Sequence, residues 1–186
     1  EQSFTFSYNY YDTEGGWVTS FEATAQNGTV ILNEVNKTIQ YIATKDYNGT
    51  DVITLKAIDN EGDPSLYYIP VTVNHVNDAP RYVDVVFNNQ GTEETIFTAP
   101  FSVSDVEDGQ LPLTSITATS TLGICEVIQD PETNALSVVL TPFENAFGAG
   151  TITIRATDSE GLSTNKVLSI NLAGTQDVPT MTMISD

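Results

Sequence analysis

The sequence is poor in the residues that form covalent crosslinks and catalytic groups. Its 186 residues include one cysteine, Cys125, and one histidine, His75. A single cysteine excludes an intrachain disulfide and a cysteine-based zinc site, and its apolar neighbours predict a buried strand residue. A Ser-His-Asp or Cys-His arrangement would have to use His75, which has no catalytic motif around it. We therefore expect that the protein is not an enzyme.

Positive charge and long apolar runs are also scarce. Six Lys and Arg residues stand against 25 Asp and Glu, which gives a formal net charge of −19. A phosphate backbone would be repelled, so nucleic acid is excluded as a partner. No run approaches the ~20 apolar residues that cross a membrane, and nothing indicates a large apolar patch, so we expect a monomer with no membrane insertion. The negative charge fits either bound divalent cations or a solvated acidic surface.

Helical periodicity is absent, and short alternating strands separated by Gly, Asn and Asp turns take its place. The strand 52–58 and its turn Asp59-Asn-Glu-Gly62 recur 99 residues later as the strand 151–157 and the turn Asp158-Ser-Glu-Gly161. About seven such strands per copy predict an all-β protein with two tandem Greek-key β-sandwich domains of the Ig-like or cadherin-like kind.

The stretch Val76-Asn-Asp-Ala-Pro80 predicts a linker between the two copies. Pro80 has no N–H for a strand ladder and biases Ala79 towards an extended conformation, so strand pairing should stop here. A second linker, Gln176-Asp-Val-Pro179, follows 99 residues later. The predicted domains are residues 1–78, residues 79–177, and the start of a further linker or repeat at 178–186.

The two copies differ at their starts. The second copy has an alternating stretch from Tyr82 to Phe87 ahead of its first acidic loop, and the first copy has no counterpart. The first domain is therefore expected to lack its opening strand or to borrow one.

Large aromatic side chains are expected to fill the two cores, with a few left for binding. The residues predicted as core are Trp17, Phe21, Tyr41, Phe101, Phe143 and Phe147. The candidates for stacking on a sugar are Tyr10, Tyr11, Tyr67 and Tyr68.

Acidic loops should converge at one end of the second domain, because alternate loops of such a sandwich share a pole. Asp105, Glu107 and Asp158 are then placed beside Asn77 and Asp78 of the linker. Carboxylates this close repel one another, and Ca²⁺, which takes six to eight oxygen ligands, resolves the conflict. Taken singly, each loop also fits an ordinary Asx turn, whereas for the convergent set we favour calcium. The facing pole of the first domain adds Glu1 and Asp46 to this interdomain site, with Asp51 as a further candidate.

These motifs resemble the bacterial cadherin-like tandem repeats of large surface adhesins and secreted proteins. The resemblance rests on the acidic turn at Asp59, the linker Val76-Asn-Asp-Ala-Pro80 and the turn Asp46-Tyr-Asn-Gly-Thr-Asp51. It implies calcium at the junction, held by Glu1, Asp105 with Glu107, Asn77 with Asp78, and Asp158. Weaker candidates at the outer poles are Asp12, Glu14, Asp59, Glu94 and Asp177.

The resulting functional hypothesis is a calcium-stiffened spacer or adhesion segment of a large extracellular or cell-surface protein. Its partners would be neighbouring repeats of the same chain, with a surface glycan or protein as a further candidate. The alternative is a carbohydrate- or protein-binding accessory module of a secreted polysaccharide-degrading enzyme.

Overall fold

The computed structural model describes residues 3–11, 15–83 and 87–179, which form β-strands and one short 3-10 helix. The chain divides into two compact units, Glu1–Val76 (unit 1) and Asn77–Asp186 (unit 2). Both are built from mainly antiparallel sheets around a buried apolar core, which confirms the predicted all-β sandwich class. Within the described ranges, no helix is long and apolar enough to span a bilayer.

Unit 1 contains two three-stranded sheets, with strand orders β1-β4-β3 and β2-β5-β6. The strands are β1 (Ser3–Ser7), β2 (Val18–Thr24), β3 (Gly28–Asn33), β4 (Thr38–Ala43), β5 (Gly49–Asp59) and β6 (Pro64–Val73).

The core of unit 1 lies between these two sheets. Ile39 and Tyr41 of β4 face Ile53 of β5 and Val71 of β6, and all four side chains are buried. Alternate residues of a strand point to opposite faces, so the alternation read from the sequence puts these side chains inside.

Unit 2 contains two four-stranded sheets, with strand orders β11-β12-β9-β7 and β10-β13-β14-β8. The strands are β7 (Arg81–Val83), β8 (Gln90–Thr92), β9 (Phe97–Ser104), β10 (Ile116–Ser120), β11 (Gly123–Gln129), β12 (Leu136–Pro142), β13 (Gly148–Thr157) and β14 (Ser163–Ala173); the 3-10 helix is Leu113–Ser115. All pairings are antiparallel except that of β14 with β8, which is parallel.

Strand β9 shows how regularly the core of unit 2 is formed. Its inward residues Phe97, Ala99, Phe101 and Val103 are all buried, whereas the residues between them are exposed. They pack against β12 of the same sheet and against β13 and β14 of the other.

The predicted break in strand pairing is confirmed at the linker. β6 ends at Val73 and β7 begins at Arg81, with Pro80 fully buried just before it. The predicted strand from Tyr82 to Phe87 is present as β7 as far as Val83, and residues 84–86 lie outside the described ranges.

The prediction for the core aromatics is correct for only half of the set. Tyr41 and Phe101 are buried and Phe21 is partly buried against the core. Trp17, Phe143 and Phe147 were wrongly placed, since 67%, 52% and 65% of these side chains are exposed. These three lie in loops next to strand ends, where the in–out alternation of a strand no longer sets their direction.

Candidate functional site

Asp105 closes the tight turn that follows β9. Its Oδ1 atom accepts hydrogen bonds from the backbone N–H groups of Glu107 (2.9 Å) and Asp108 (3.0 Å). The backbones of Asp105 and Gly109 also pair with each other, and Gly109 has a φ of 70°, in the left-handed region that suits glycine. The Asp105 side chain is only 6% exposed. Its second oxygen, Oδ2, is buried without a hydrogen-bond partner among the described residues.

Asp158 closes the turn between β13 and β14 in a similar way. Its Oδ1 atom accepts hydrogen bonds from the N–H groups of Glu160 (3.0 Å) and Leu162 (2.8 Å). Its Oδ2 atom accepts one from the side-chain amide of Asn77, at 2.9 Å. Burial raises the pKa of Asp158, but the hydrogen bonds from Asn77 and the backbone lower it further, so the net pKa is below the ordinary value. Asp158 therefore remains ionised at neutral pH.

The linker and the two acidic loops meet at this end of unit 2. The backbone N–H of Asp78 donates to Oε2 of Glu107 at 3.2 Å, and Arg81 forms a 2.8 Å ion pair with Asp78. Asp108 accepts hydrogen bonds from the backbone N–H (2.7 Å) and the hydroxyl (2.8 Å) of Ser159. The structure thus brings together Asn77, Asp78, Asp105, Glu107 and Asp158, the part of the predicted site that belongs to unit 2.

Asp108 was not among the predicted site residues, although it joins the two acidic loops directly. The sequence shows three acidic residues in the loop after β9, and spacing alone does not reveal which of them faces the next loop. The approach of Ser159 depends on long-range folding.

The acidic side chains are not arranged as a finished metal cage. In the part of the chain that the structure describes, no group of three or more His, Cys, Asp or Glu side chains is positioned to hold a metal ion. N–H donors already occupy Oδ1 of Asp105 and both oxygens of Asp158. The unpartnered Oδ2 of Asp105 is the atom that fits a cation best.

Two other predicted ligands belong to unit 1. Asp46 is exposed, lies in the turn after β4 with a φ of 62°, and forms an ion pair with Lys45. Asp59 is partly buried, and its Oδ1 atom accepts hydrogen bonds from the N–H groups of Glu61, Gly62 and Asp63. The Asp59 loop therefore has the Asx-turn geometry that was the alternative reading of each acidic loop.

The remaining candidates are exposed or outside the described ranges. Glu94 is exposed in the turn after β8, with a φ of 62°, and Asp177 is exposed beyond β14. Glu1, Asp12 and Glu14 lie outside the described residues.

The buried carboxylate of Asp51, which was a further candidate for the interdomain site, has a structural role. It accepts hydrogen bonds from Asn27 N–H (2.9 Å), Tyr41 hydroxyl (2.9 Å), Val52 N–H (2.8 Å) and Gln26 N–H (3.3 Å). Burial raises the pKa of Asp51, but these hydrogen bonds outweigh it and the net pKa is lowered. Burial, with the bond to Asp51, raises the pKa of Tyr41 to about 12.

The sequence did carry a signal for this role of Asp51. The residue lies two positions before Ile53, in the inward phase of β5.

Unit 1 also contains an aromatic-lined cavity of about 750 Å³. Three of the four tyrosines proposed for sugar stacking line it, namely Tyr10, Tyr11 and Tyr67, whereas Tyr68 does not. Lys37 lies near its rim, with its Nζ atom 4.4 Å from the centre of the Tyr10 ring and 3.0 Å from the Tyr10 hydroxyl oxygen.

Comparisons with known proteins give structural neighbours but no family. No protein-family model and no curated protein matches the sequence. Solved structures with a similar fold include the protocadherin fragment PcdhgB3 EC1-4, at 14% identity and a TM-score of 0.49, covering 84% of this chain and 41% of that one. An endo-fucoidan hydrolase of glycoside hydrolase family 107, MfFcnA4, matches at 19% identity and a TM-score of 0.38, covering 94% of this chain and 26% of that one.

A third neighbour is the structure of the fibronectin(III)-like modules of Clostridium thermocellum CbhA. It matches at 15% identity and a TM-score of 0.39, with 97% of this chain and 92% of that one covered. All three scores lie below 0.5. The fold assignment therefore rests on the strand pairings and cores described above, and no function is transferred.

Proposed function

We propose that unit 2 binds calcium at the end where Asn77 and Asp78 enter it, and that the protein is a calcium-stiffened repeat segment of an extracellular or cell-surface protein. The observation that carries this proposal is the buried Oδ2 atom of Asp105, which has no hydrogen-bond partner among the described residues.

A buried carboxylate oxygen without a partner is costly, because it has lost its water and gained nothing in return. Asp105 is only 6% exposed and lies in a chain that carries a net charge of −19. A bound cation would relieve this cost, because it supplies a partner for the oxygen. The other acidic side chains at this end of unit 2 offer further oxygen ligands and favour this solution.

The available donors suit a hard cation. Asp105, Glu107, Asp158 and Asp78 supply carboxylate oxygens, and Asn77 supplies an amide oxygen in addition to the nitrogen that now contacts Asp158. Calcium accepts such mixed oxygen ligands in flexible geometry, whereas zinc prefers nitrogen or sulfur. Extracellular calcium modules bind with dissociation constants of roughly 10⁻⁴ to 10⁻³ M, which matches an incompletely pre-formed site.

The mechanical consequence follows from the position of Asn77 and Asp78 in the linker. An ion held jointly by these residues and by the two acidic loops would fasten the linker onto unit 2. Linkers between domains flex by default unless such a contact restrains them. A series of repeats restrained in this way would act as a stiff spacer.

Calcium-dependent stability tests the proposal. Thermal unfolding of the full chain should move to higher temperature in millimolar calcium than in EDTA, because an ion that binds only the folded state adds about 0.4 to 1.4 kcal/mol at one to ten times its dissociation constant. Asp105→Asn should remove most of this shift. In EDTA the variant should be about as stable as the parent, since Asn keeps the turn-forming oxygen and exchanges an unpartnered carboxylate oxygen for an unpartnered amide nitrogen.

Asp130→Asn is the matched control. Asp130 forms the same kind of turn, accepting N–H bonds from Glu132 and Thr133, but its side chain is exposed. Its calcium response should equal that of the parent chain. Superimposable melting curves with and without calcium would refute the proposal.

A further inference from the structure

The cavity of unit 1 corresponds to a place that is filled in unit 2. In unit 2 the side chain of Tyr82, on β7, packs against Phe101 with ring centres 6.3 Å apart. Its hydroxyl lies 3.0 Å from the carbonyl oxygen of Ile154 and 3.5 Å from that of Thr164. Tyr82 thereby closes one end of the sandwich.

Each of the three contacts of Tyr82 has a counterpart that lines the cavity. Strands β1 and β9 are equivalent with a shift of 93 residues. Phe6 of β1 pairs with Ile39, and Ala99 of β9 pairs with Val138, which is the equivalent of Ile39. In this alignment Tyr8 is the equivalent of Phe101. β5 and β6 are related to β13 and β14 by a shift of 99 residues. Leu55 is therefore the equivalent of Ile154, and Ser65 is the equivalent of Thr164. The cavity lining includes Tyr8, Leu55 and Ser65.

The backbone at the end of β9 is paired with a further strand, whereas the corresponding backbone after β1 is not in a strand. β9 continues to Ser104, and its last residues, Ser102 to Ser104, are the ones that pair with β7. β1 stops at Ser7, and the corresponding segment, Asn9 to Tyr11, forms no strand and lines the cavity. A strand edge with unpaired N–H and C=O groups is a template for a further strand.

A polar atom in the cavity wall also lacks a partner. The hydroxyl of Tyr8 is buried with no hydrogen-bond partner among the described residues, whereas its counterpart Phe101 has no polar atom to satisfy. A segment that entered the cavity with a polar group beside this hydroxyl would supply the missing partner.

We propose that unit 1 binds an extended strand along Asn9–Tyr11, with one apolar side chain of that strand in the cavity, and that residues 180–184 of a second copy of this chain supply it. In the 99-residue repeat, Pro179 is the equivalent of Pro80 and Met181 is the equivalent of Tyr82. Methionine is flexible and fills irregular apolar spaces. Residues 180–185 carry no charge, so the segment itself adds nothing to the repulsion between two copies that each carry a net charge of −19.

The expected interface is heterologous, because one surface of a copy contacts a different surface of the next. It gives a closed ring, with a reciprocal dimer as the smallest case, if the rotation between copies closes, and an open series of oligomers if it does not. A single short strand buries less than the area of a stable interface, so the chain should be monomeric when dilute and associate as its concentration rises.

Sedimentation velocity of the full chain tests this inference, in EDTA so that calcium plays no part. The parent chain should associate with rising concentration, and Met181→Asp should weaken the association about tenfold or more, because it would bury a charge. Thr182→Asp is the matched control, since its counterpart Val83 is 58% exposed, and it should associate like the parent. No association at any attainable concentration, or equal loss in both variants, would overturn the proposal.

A peptide experiment locates the binding surface. The probe is a synthetic peptide with the sequence of residues 178–186, added to the full chain that carries Met181→Asp. Hydrogen exchange should slow at Asn9–Tyr11 and remain unchanged in unit 2. If a panel of oligosaccharides protects these amides and the peptide does not, the proposal fails and the aromatic cavity is a glycan site instead.

Discussion

Units 1 and 2 share one strand arrangement but differ in how well their outer strands are covered. In unit 2, β7 covers the edge of β9 and β8 covers the edge of β14, and every inward residue of β9 is buried. In unit 1, β1 and β6 are outermost strands among the described residues, and Phe4 of β1 is 41% exposed. The apolar residues of β1 are thus less buried than the inward residues of its counterpart β9, which has an additional strand beside it.

The difference extends to the cores. The buried cluster of unit 1 comes from β4, β5 and β6, whereas that of unit 2 draws on β9, β10, β12, β13 and β14. Stabilisation grows with the apolar area removed from water, at about 25 cal/mol per Å². Unit 1 should therefore be the less stable of the two.

The largest expected effect comes from the matched pair Ile53→Ala and Ile152→Ala. The two isoleucines occupy equivalent positions and are both 0% exposed. Each substitution should cost about 2–5 kcal/mol through lost burial and the cavity left behind. We expect Ile53→Ala to unfold unit 1 under conditions in which Ile152→Ala leaves unit 2 folded.

Hydrogen exchange read by mass spectrometry, peptide by peptide, measures the two units separately in one chain. Leu113→Ala, at a 38% exposed position of unit 2, controls for substitution as such and should change little. Should unit 2 open while unit 1 stays protected, the ranking of the two units is wrong.

Removing the side chain of Tyr82 should make unit 2 resemble unit 1. Tyr82→Ala is expected to cost about 3 kcal/mol, since it removes a large core contact, and to speed exchange in the last residues of β9. Tyr82→Phe keeps the ring and loses only the hydroxyl, so it should cost about 1 kcal/mol. If both variants cost the same, the hydroxyl rather than the ring closes the end of the sandwich.

Alkaline pH gives a second measure of the same side chain. Burial raises the pKa of Tyr82 to about 12. Because the folded-state pKa exceeds the unfolded value of about 10, the contribution of the neutral phenol is complete below that value and is lost as the pH rises through about 12. Tyr82→Phe should remove this loss from the alkaline denaturation of unit 2.

The smallest expected effect is the acid response of Asp51 in unit 1. Its folded-state pKa is lowered, so its stabilisation is present above the unfolded value of about 3.9 and is lost as the pH falls through the folded value. Asp51→Asn should flatten the acid limb of the stability curve of unit 1. The acid limb of unit 2, where Asp158 has the same kind of shift, should not change. Calorimetry between pH 2 and 6 measures both acid limbs. An unaltered acid limb of unit 1 in the variant would contradict the prediction.

The sequence was sufficient for features that depend on local pattern. The alternation in β4, β5 and β9 and the break at Pro80 identified the fold class and the linker, because strand periodicity and proline chemistry act over a few residues. The loops at Asp105 and Asp158 were brought together correctly by topology alone.

The sequence was insufficient where the direction of a side chain depends on contacts with residues far away in the chain. Trp17 and Phe147 are apolar and adjacent to strands, yet no local rule turns a loop side chain inward. Asp108 was overlooked because its partner Ser159 is 51 residues away. The cavity of unit 1 could not be predicted from local sequence, because it lies at the place that Tyr82 fills in unit 2 by packing against a distant strand.

The buried Asp51 at the start of β5 also decides which alignment the sheet adopts. β5 pairs with β2 and β6 together, and a slip of one residue would turn Ile53 outward and carry the carboxylate away from Asn27, Tyr41 and Gln26. A leucine in place of Asp51 would bury as much surface but would tolerate neighbouring registers more easily. We infer that Asp51 selects one register of the sheet against its alternatives, which contributes to the uniqueness of the fold in addition to its stability.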